Sequence, residues 1–194
     1  MVGPSAVVRC VVPLSVVASL LVAGCGASSG SSQRFPSRSP DTAATPCGIR
    51  ASTVARESEP GPGVALLQTA QVSRAECTVD VRFEFVSSDV DLPPRYVVEY
   101  QAGPFLDFNQ DAPASPEGAA YLVIRFEQVA TELGGRTTSR SGESITPGGM
   151  RHVQDVRMVR APDGTVQFVI GLDERRPFVV DGAPSPPHVV VRVA

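Results

Sequence analysis

Between Val79 and Phe85 every second residue is apolar: Val79, Val81, Phe83 and Phe85 alternate with Asp80, Arg82 and Glu84. A helix would scatter this set around its circumference, whereas a strand gathers it on one face. The segment must therefore lie as a strand with one side buried, and such a strand needs partners. The chain supplies them. "RYVVEYQ" and "AAYLVIRFEQV" follow, the latter with Tyr121, Val123, Arg125 and Glu127 on one side and Leu122, Ile124 and Phe126 on the other. "RHVQDVRMVRA" sets Val153, Val156 and Met158 among Gln154, Arg157 and Arg160, with a slip of phase that predicts a β-bulge. "PDG", Pro162–Gly164, predicts a hairpin into "TVQFVIGLD". "RPFVVDG" and "HVVVRVA" close the chain. The spacers are rich in Gly, Pro, Ser and Asp, the residues that turns require. A short further strand is expected near Thr137–Ser141, and a short helix at Gly63–Gln71, "GVALLQTAQ". The fold expected is all-β: a single β-sandwich of seven or eight short strands.

The N-terminus reads differently. Arg9 is the only charge before Arg34. From Cys10 to Ala23 the chain is apolar except for Pro13, Ser15 and Ser19, about the length of a signal-peptide core and too short to span a bilayer comfortably. It ends in Leu21, Val22, Ala23, Gly24 and Cys25, which resembles the lipobox of bacterial lipoproteins. That resemblance implies cleavage before Cys25, with lipid on its thiol and an anchor to the outer side of the cell membrane. The alternative is an ordinary secretory signal cut elsewhere. Two acyl chains hold stably where one does not, since each buried methylene contributes about 0.8 kcal/mol. After Cys25, "GASSGSSQRFPSRSPDTAATP" has almost nothing to bury and reads as a tether. The expected organisation is a signal peptide over 1–24, a tether over 25–46, an N-terminal segment over 47–76 clasped to the domain, and the sandwich over 77–194.

The clasp comes from cysteine arithmetic. Cys10 leaves with the signal peptide and Cys25 takes lipid, so Cys47 and Cys77 remain as an even pair in an oxidising compartment. A disulfide closing that loop is worth about 3 to 4 kcal/mol in the chain-entropy picture. The alternative is two free or metal-binding thiols, and a metal lacks further ligands: the chain has only two histidines, His152 and His188, far apart in sequence.

Charge excludes one class of partner. The net charge is −3 and the 17 basic residues, all arginine, are scattered, so no nucleic-acid footprint is present. No cofactor motif occurs. A Ser-His-Asp site needs a histidine beside a nucleophile, and "SGES" is not a nucleophile elbow, so both histidines read as structural. Asp107, Asn109 and Asp111 open like a calcium loop. Ala112 stands where the loop needs glycine and Gly118 where it needs glutamate, with Glu117 one place early, so a solvated acidic loop is expected instead. "GLDERRPF" gathers Asp173, Glu174, Arg175 and Arg176 at a corner. Guanidinium forks there suit carboxylates; the plain reading is a hairpin turn whose charges pair with each other, with Asp173 accepting backbone N–H bonds.

The stretch from "CTVDVRFEFV" through "RYVVEYQAGPF" and "AAYLVIRFEQVA" to the C-terminus, above all "VIGLDERRPFVV" followed by "PPHVVVRV", resembles the AMIN-like domain of actinobacterial secreted proteins and lipoproteins. The resemblance covers roughly Cys77–Ala194. It implies a β-sandwich that serves as a non-catalytic envelope module, binding peptidoglycan or an envelope protein, with Arg175, Arg176 and Asp173 as the contact residues to test. The competing expectation is an envelope enzyme or small-ligand carrier on the same scaffold.

Overall fold

The computed structural model describes residues 43–44, 48–59, 63–87, 91–107, 112–113, 115–133, 136–137, 142–146, 148–160 and 165–194. Among these, eight strands of six residues or more carry the fold, with two short ones at sheet edges. In chain order they are β1 (Arg56–Glu57), β2 (Ala65–Arg74), β3 (Val79–Ser87), β4 (Tyr96–Gln101), β5 (Ala120–Phe126), β6 (Val129–Ala130), β7 (Val153–Arg160), β8 (Val166–Leu172), β9 (Phe178–Ala183) and β10 (His188–Val193). They form two five-stranded sheets, in the orders β6-β2-β3-β10-β9 and β7-β8-β5-β4-β1. Every pairing is antiparallel except that of β6 with β2.

The alternation of β3 sets the core. Val79, Val81, Phe83 and Phe85 are all fully buried, while Asp80, Arg82 and Glu84 keep contact with water. From the facing sheet come Leu122, Ile124 and Phe126 of β5, with Phe168 and Ile170 of β8. Phe83 meets Phe126 with ring centroids 5.1 Å apart at 67° and Phe168 at 4.7 Å. These tilted arrangements suit the ring quadrupoles and add to the area the rings remove from water. All seven residues of β8 are buried. On its outer side Val169 packs with Val123 of β5, Val159 of β7 and Phe105, which comes from the chain leaving β4. Strand β7 carries the expected bulge, between Val153 and Asp155. Its free edge is covered: Gly142 N–H donates to Met158 O and Ile145 N–H to Val156 O. Capping an edge in this way denies it to other chains.

Three expectations need correction. Gly63–Gln71 is not helical; most of it lies in β2. A bulge between Leu67 and Thr69 turns the inward set from Ala65 and Leu67 to Ala70 and Val72, and that step of three imitated helical spacing. The sandwich therefore begins upstream of Cys77: β2 sits inside a sheet, bonded along β3, and the expected boundary falls in the turn between them. "GLDERRPF" is not a hairpin either, since β8 and β9 belong to different sheets and the corner crosses between them. The strand expected near Thr137–Ser141 falls mostly outside the described residues, which do not include 138–141; Arg136–Thr137 pairs with Glu132–Leu133. Strands β7 and β8 pair up to Arg160 and Val166, as the "PDG" signal implies, with that turn itself outside the described residues. So do the leader, Cys25, Cys47, Asn109 and Asp111. Asp107 pairs through its backbone with Ala112.

Candidate functional site

Antiparallel register brings several loops to one end of the sandwich. Val193 pairs with Val79 and with Phe178, and Leu172 pairs with both Ala120 and Val153. The β2–β3 turn with Cys77, the approach to β7, the β8–β9 corner and the chain on either side of the β4–β5 connection therefore share this end. Asp173, Arg175 and Arg176 lie on that corner.

Asp173 is the hub. Its Oδ1 accepts from Arg176 Nε at 2.8 Å and from Glu174 N–H at 2.9 Å, and its Oδ2 accepts from Arg176 Nη2 at 3.1 Å. His152 Nδ1 lies 3.0 Å from Oδ2. The Arg176 fork holds the Asp173 carboxyl well below the usual carboxylate range; partial burial opposes this, and His152 reinforces it. Arg176 also reaches Glu174 Oε1 at 2.8 Å, and its own pKa is raised chiefly by the Asp173 hydrogen bond. Its fork is thus occupied inside the corner. The Arg176 backbone is clamped as well. Its N–H donates to Tyr100 Oη at 2.8 Å, and Tyr100 O–H donates to the Arg176 carbonyl at 2.6 Å. Burial pushes the Tyr100 phenol up. This clamp ties the corner to β4 in the second sheet.

Arg175 is placed differently. It is exposed, its guanidinium lies 4.7 Å above the Tyr100 ring, and its one hydrogen bond among the described residues is a long one of 3.4 Å to Thr53 O. Stacking on an aromatic face positions a guanidinium and leaves most of its donors unused. Beside it runs an open groove of about 450 Å³ along Tyr100, Gln101, Gly103, Ala119 and Tyr121. Tyr121 is steadied by an edge-on contact with Phe105 at 5.3 Å. The structure thus divides the two arginines that share a sequence neighbourhood: Arg176 ties the corner together and Arg175 faces out. Tyr100, Tyr121 and His152 escaped sequence reasoning because their partners are distant along the chain, 76 residues for Tyr100 and Arg176 and 21 for His152 and Asp173.

Because folding depresses the Asp173 pKa, its ion pairs stabilise fully above the ordinary carboxylate value of 3.8, and that stabilisation is lost as pH falls through the lower folded value. Asp173→Asn is expected to cost about 1 kcal/mol at neutral pH, since the side chain is about a third exposed and solvent screens the pairs. Urea unfolding at pH 7 and pH 3 checks this: the gap from wild type narrows at the lower pH, and an unchanged gap refutes it.

Among the described residues no group of three or more His, Cys, Asp or Glu side chains is placed to hold a metal ion. The family model described as the AMIN-like domain matches residues 67–194. No curated protein and no solved structure matches the chain.

Proposed function

Because this chain belongs to the AMIN-like domain family, whose members are binding modules of the cell envelope, we propose that it is a lipid-anchored envelope protein that binds peptidoglycan or an envelope protein without turning it over. The binding surface is the groove between Tyr100 and Tyr121 with Arg175 at its rim. The observation that carries this is the Arg175 guanidinium stacked over Tyr100 at the edge of an open groove, with most of its donors unused among the described residues. Aromatic rings accept the flat faces of sugars or apolar side chains, and a guanidinium pairs with carboxylates such as those of peptidoglycan stems or an acidic partner. Arg176 and Asp173 act indirectly, by fixing the corner that presents Arg175.

Cys25 carries the lipid in this reading, which rests on the apolar stretch and small residues that precede it. Cys47 pairs with Cys77. The pairing is supported by Cys77 being disulfide-bonded and by the loss of the other two cysteines to the leader and the lipid. It would fasten the incoming chain beside the candidate surface.

The test is a comparison of two arginine variants on isolated cell-wall sacculi and on envelope extract. Arg175→Ala should weaken capture by about tenfold, the loss of one charge-assisted contact, while leaving the thermal midpoint within a few degrees. Arg176→Ala should lower the midpoint. Saturable capture unaffected by Arg175→Ala would remove the groove from the binding surface.

A further inference from the structure

The same end of the sandwich holds a second cavity, of about 340 Å³, that the groove does not reach. Arg74 and Glu76 line it from the β2–β3 turn, and Gly149, Arg151 and His152 from the approach to β7. We propose that this cavity binds an oxyanion, a phosphate or carboxylate group, through Arg151, His152 and Arg74.

The side chains converge on that chemistry. Arg151 is exposed, and among the described residues its guanidinium makes no hydrogen bond or ion pair. Arg74 donates one N–H to Gly149 O at 2.6 Å, which fixes its head against the cavity wall and leaves further donors. His152 is oriented from behind. Its Nδ1 faces Asp173 Oδ2 at 3.0 Å, so Nε2 is the ring nitrogen left for a ligand. The charge behind the ring is fixed, because the Arg176 fork keeps Asp173 ionised. His152 achieves this position at a φ of 69°, in the left-handed region where a non-glycine residue is uncommon.

The charge count favours an anion. The groups facing His152 from every neighbouring element are Asp173 with Arg176 behind it on the β8–β9 corner, Arg74 and Glu76 on the β2–β3 turn, and Arg151 on its own strand approach. Among the described residues Glu76 is the only carboxylate of the cavity wall, against two guanidiniums and the ring. A cation would meet net repulsion there. A neutral ligand would leave the two guanidiniums facing one another across the cavity, whereas an oxyanion accepts from both at once. This site uses none of the groove residues, so it stands or falls separately from the proposed wall-binding surface.

Histidine ring NMR on the full-length chain in detergent micelles tests it, because the chain has two histidines and His188 is an internal control. Inorganic phosphate is titrated at ionic strength held constant with chloride, and acetate is titrated in a second arm. Phosphate should move the His152 ring resonances saturably and leave those of His188 unmoved. A response to acetate as well assigns the site to oxyanions generally; a response to phosphate alone assigns it to phosphate groups. Arg151→Gln should weaken the phosphate response about tenfold with an unchanged thermal midpoint, and Arg74→Gln gives the same test from the other side of the cavity. Equal movement of the two histidines, or responses unaltered in both variants, overturns the proposal.

Discussion

Phe83→Ala should lower the unfolding free energy by about 3 to 5 kcal/mol, the range for removing a large side chain from a packed interior. Phe83 is fully buried where the two sheets meet, and it touches Phe126 and Phe168 at once. Its loss opens a void that both rings border. Neither can move in to fill it without giving up its own packing, since Phe126 also holds Phe85 at 5.1 Å. Stability is small beside such a cost, so the variant should be partly unfolded at growth temperature. Guanidinium unfolding measures it, with Val86→Ala as the control. Val86 follows on the same strand but is half exposed, and its truncation should fall within about 0.5 kcal/mol of wild type. Equal midpoints for the two variants would show that the sheets do not pack through Phe83.

Gly171→Ala should be nearly as damaging through a different cause. Gly171 lies within β8, paired with Tyr121 and Asp155, and the backbone of the segment before β5 passes directly over it. A Cβ there would collide with the Glu117 carbonyl and crowd Pro116, whose Cβ would lie at 3.3 Å. A carbonyl belongs to the main chain and cannot rotate out of the way as a side chain does. Either residues 116–118 lift off the sheet or β8 shifts against its neighbours. The expected cost is about 2 to 3 kcal/mol, at the upper end for overpacking. The effect extends to function, because Ala119 and Ala120, which follow that segment, line the groove beside Tyr121. Gly148→Ala is the matching control, with nothing within 4 Å of the added methyl. If Gly171→Ala melts and binds as Gly148→Ala does, the close crossing at Glu117 is not part of the native fold.

Much of this architecture was legible in the sequence. The alternation in β3 named the inward set residue for residue, and the phase slip after Val153 announced its bulge, because a half-buried strand imposes a period that survives in composition. β2 was not legible. Its own bulge broke the period at Leu67, and the apolar residues that remained imitated a helix. The crossing between β8 and β9 was hidden too, since two strands joined by a short charged corner look the same whether they pair or part. The corner was found, but not its division of labour. Arg175 and Arg176 are neighbours with one chemistry, and only the fold decides that Asp173 occupies one while Tyr100 stacks under the other. Tyr100, Tyr121 and His152 carry no local signal. Each acquires its role through contacts across strands, and the spacing of such contacts is set by topology.

The central claim is that the domain binds an envelope component and leaves it intact. It is tested most directly by incubating the purified chain with isolated sacculi, then measuring protein in the pellet and soluble wall fragments in the supernatant. The account predicts saturable co-sedimentation, or capture of an envelope protein when extract is supplied, with no fragment released above the level of sacculi alone. Release of wall fragments in proportion to the protein added, without stable binding, would contradict it and make the chain an enzyme.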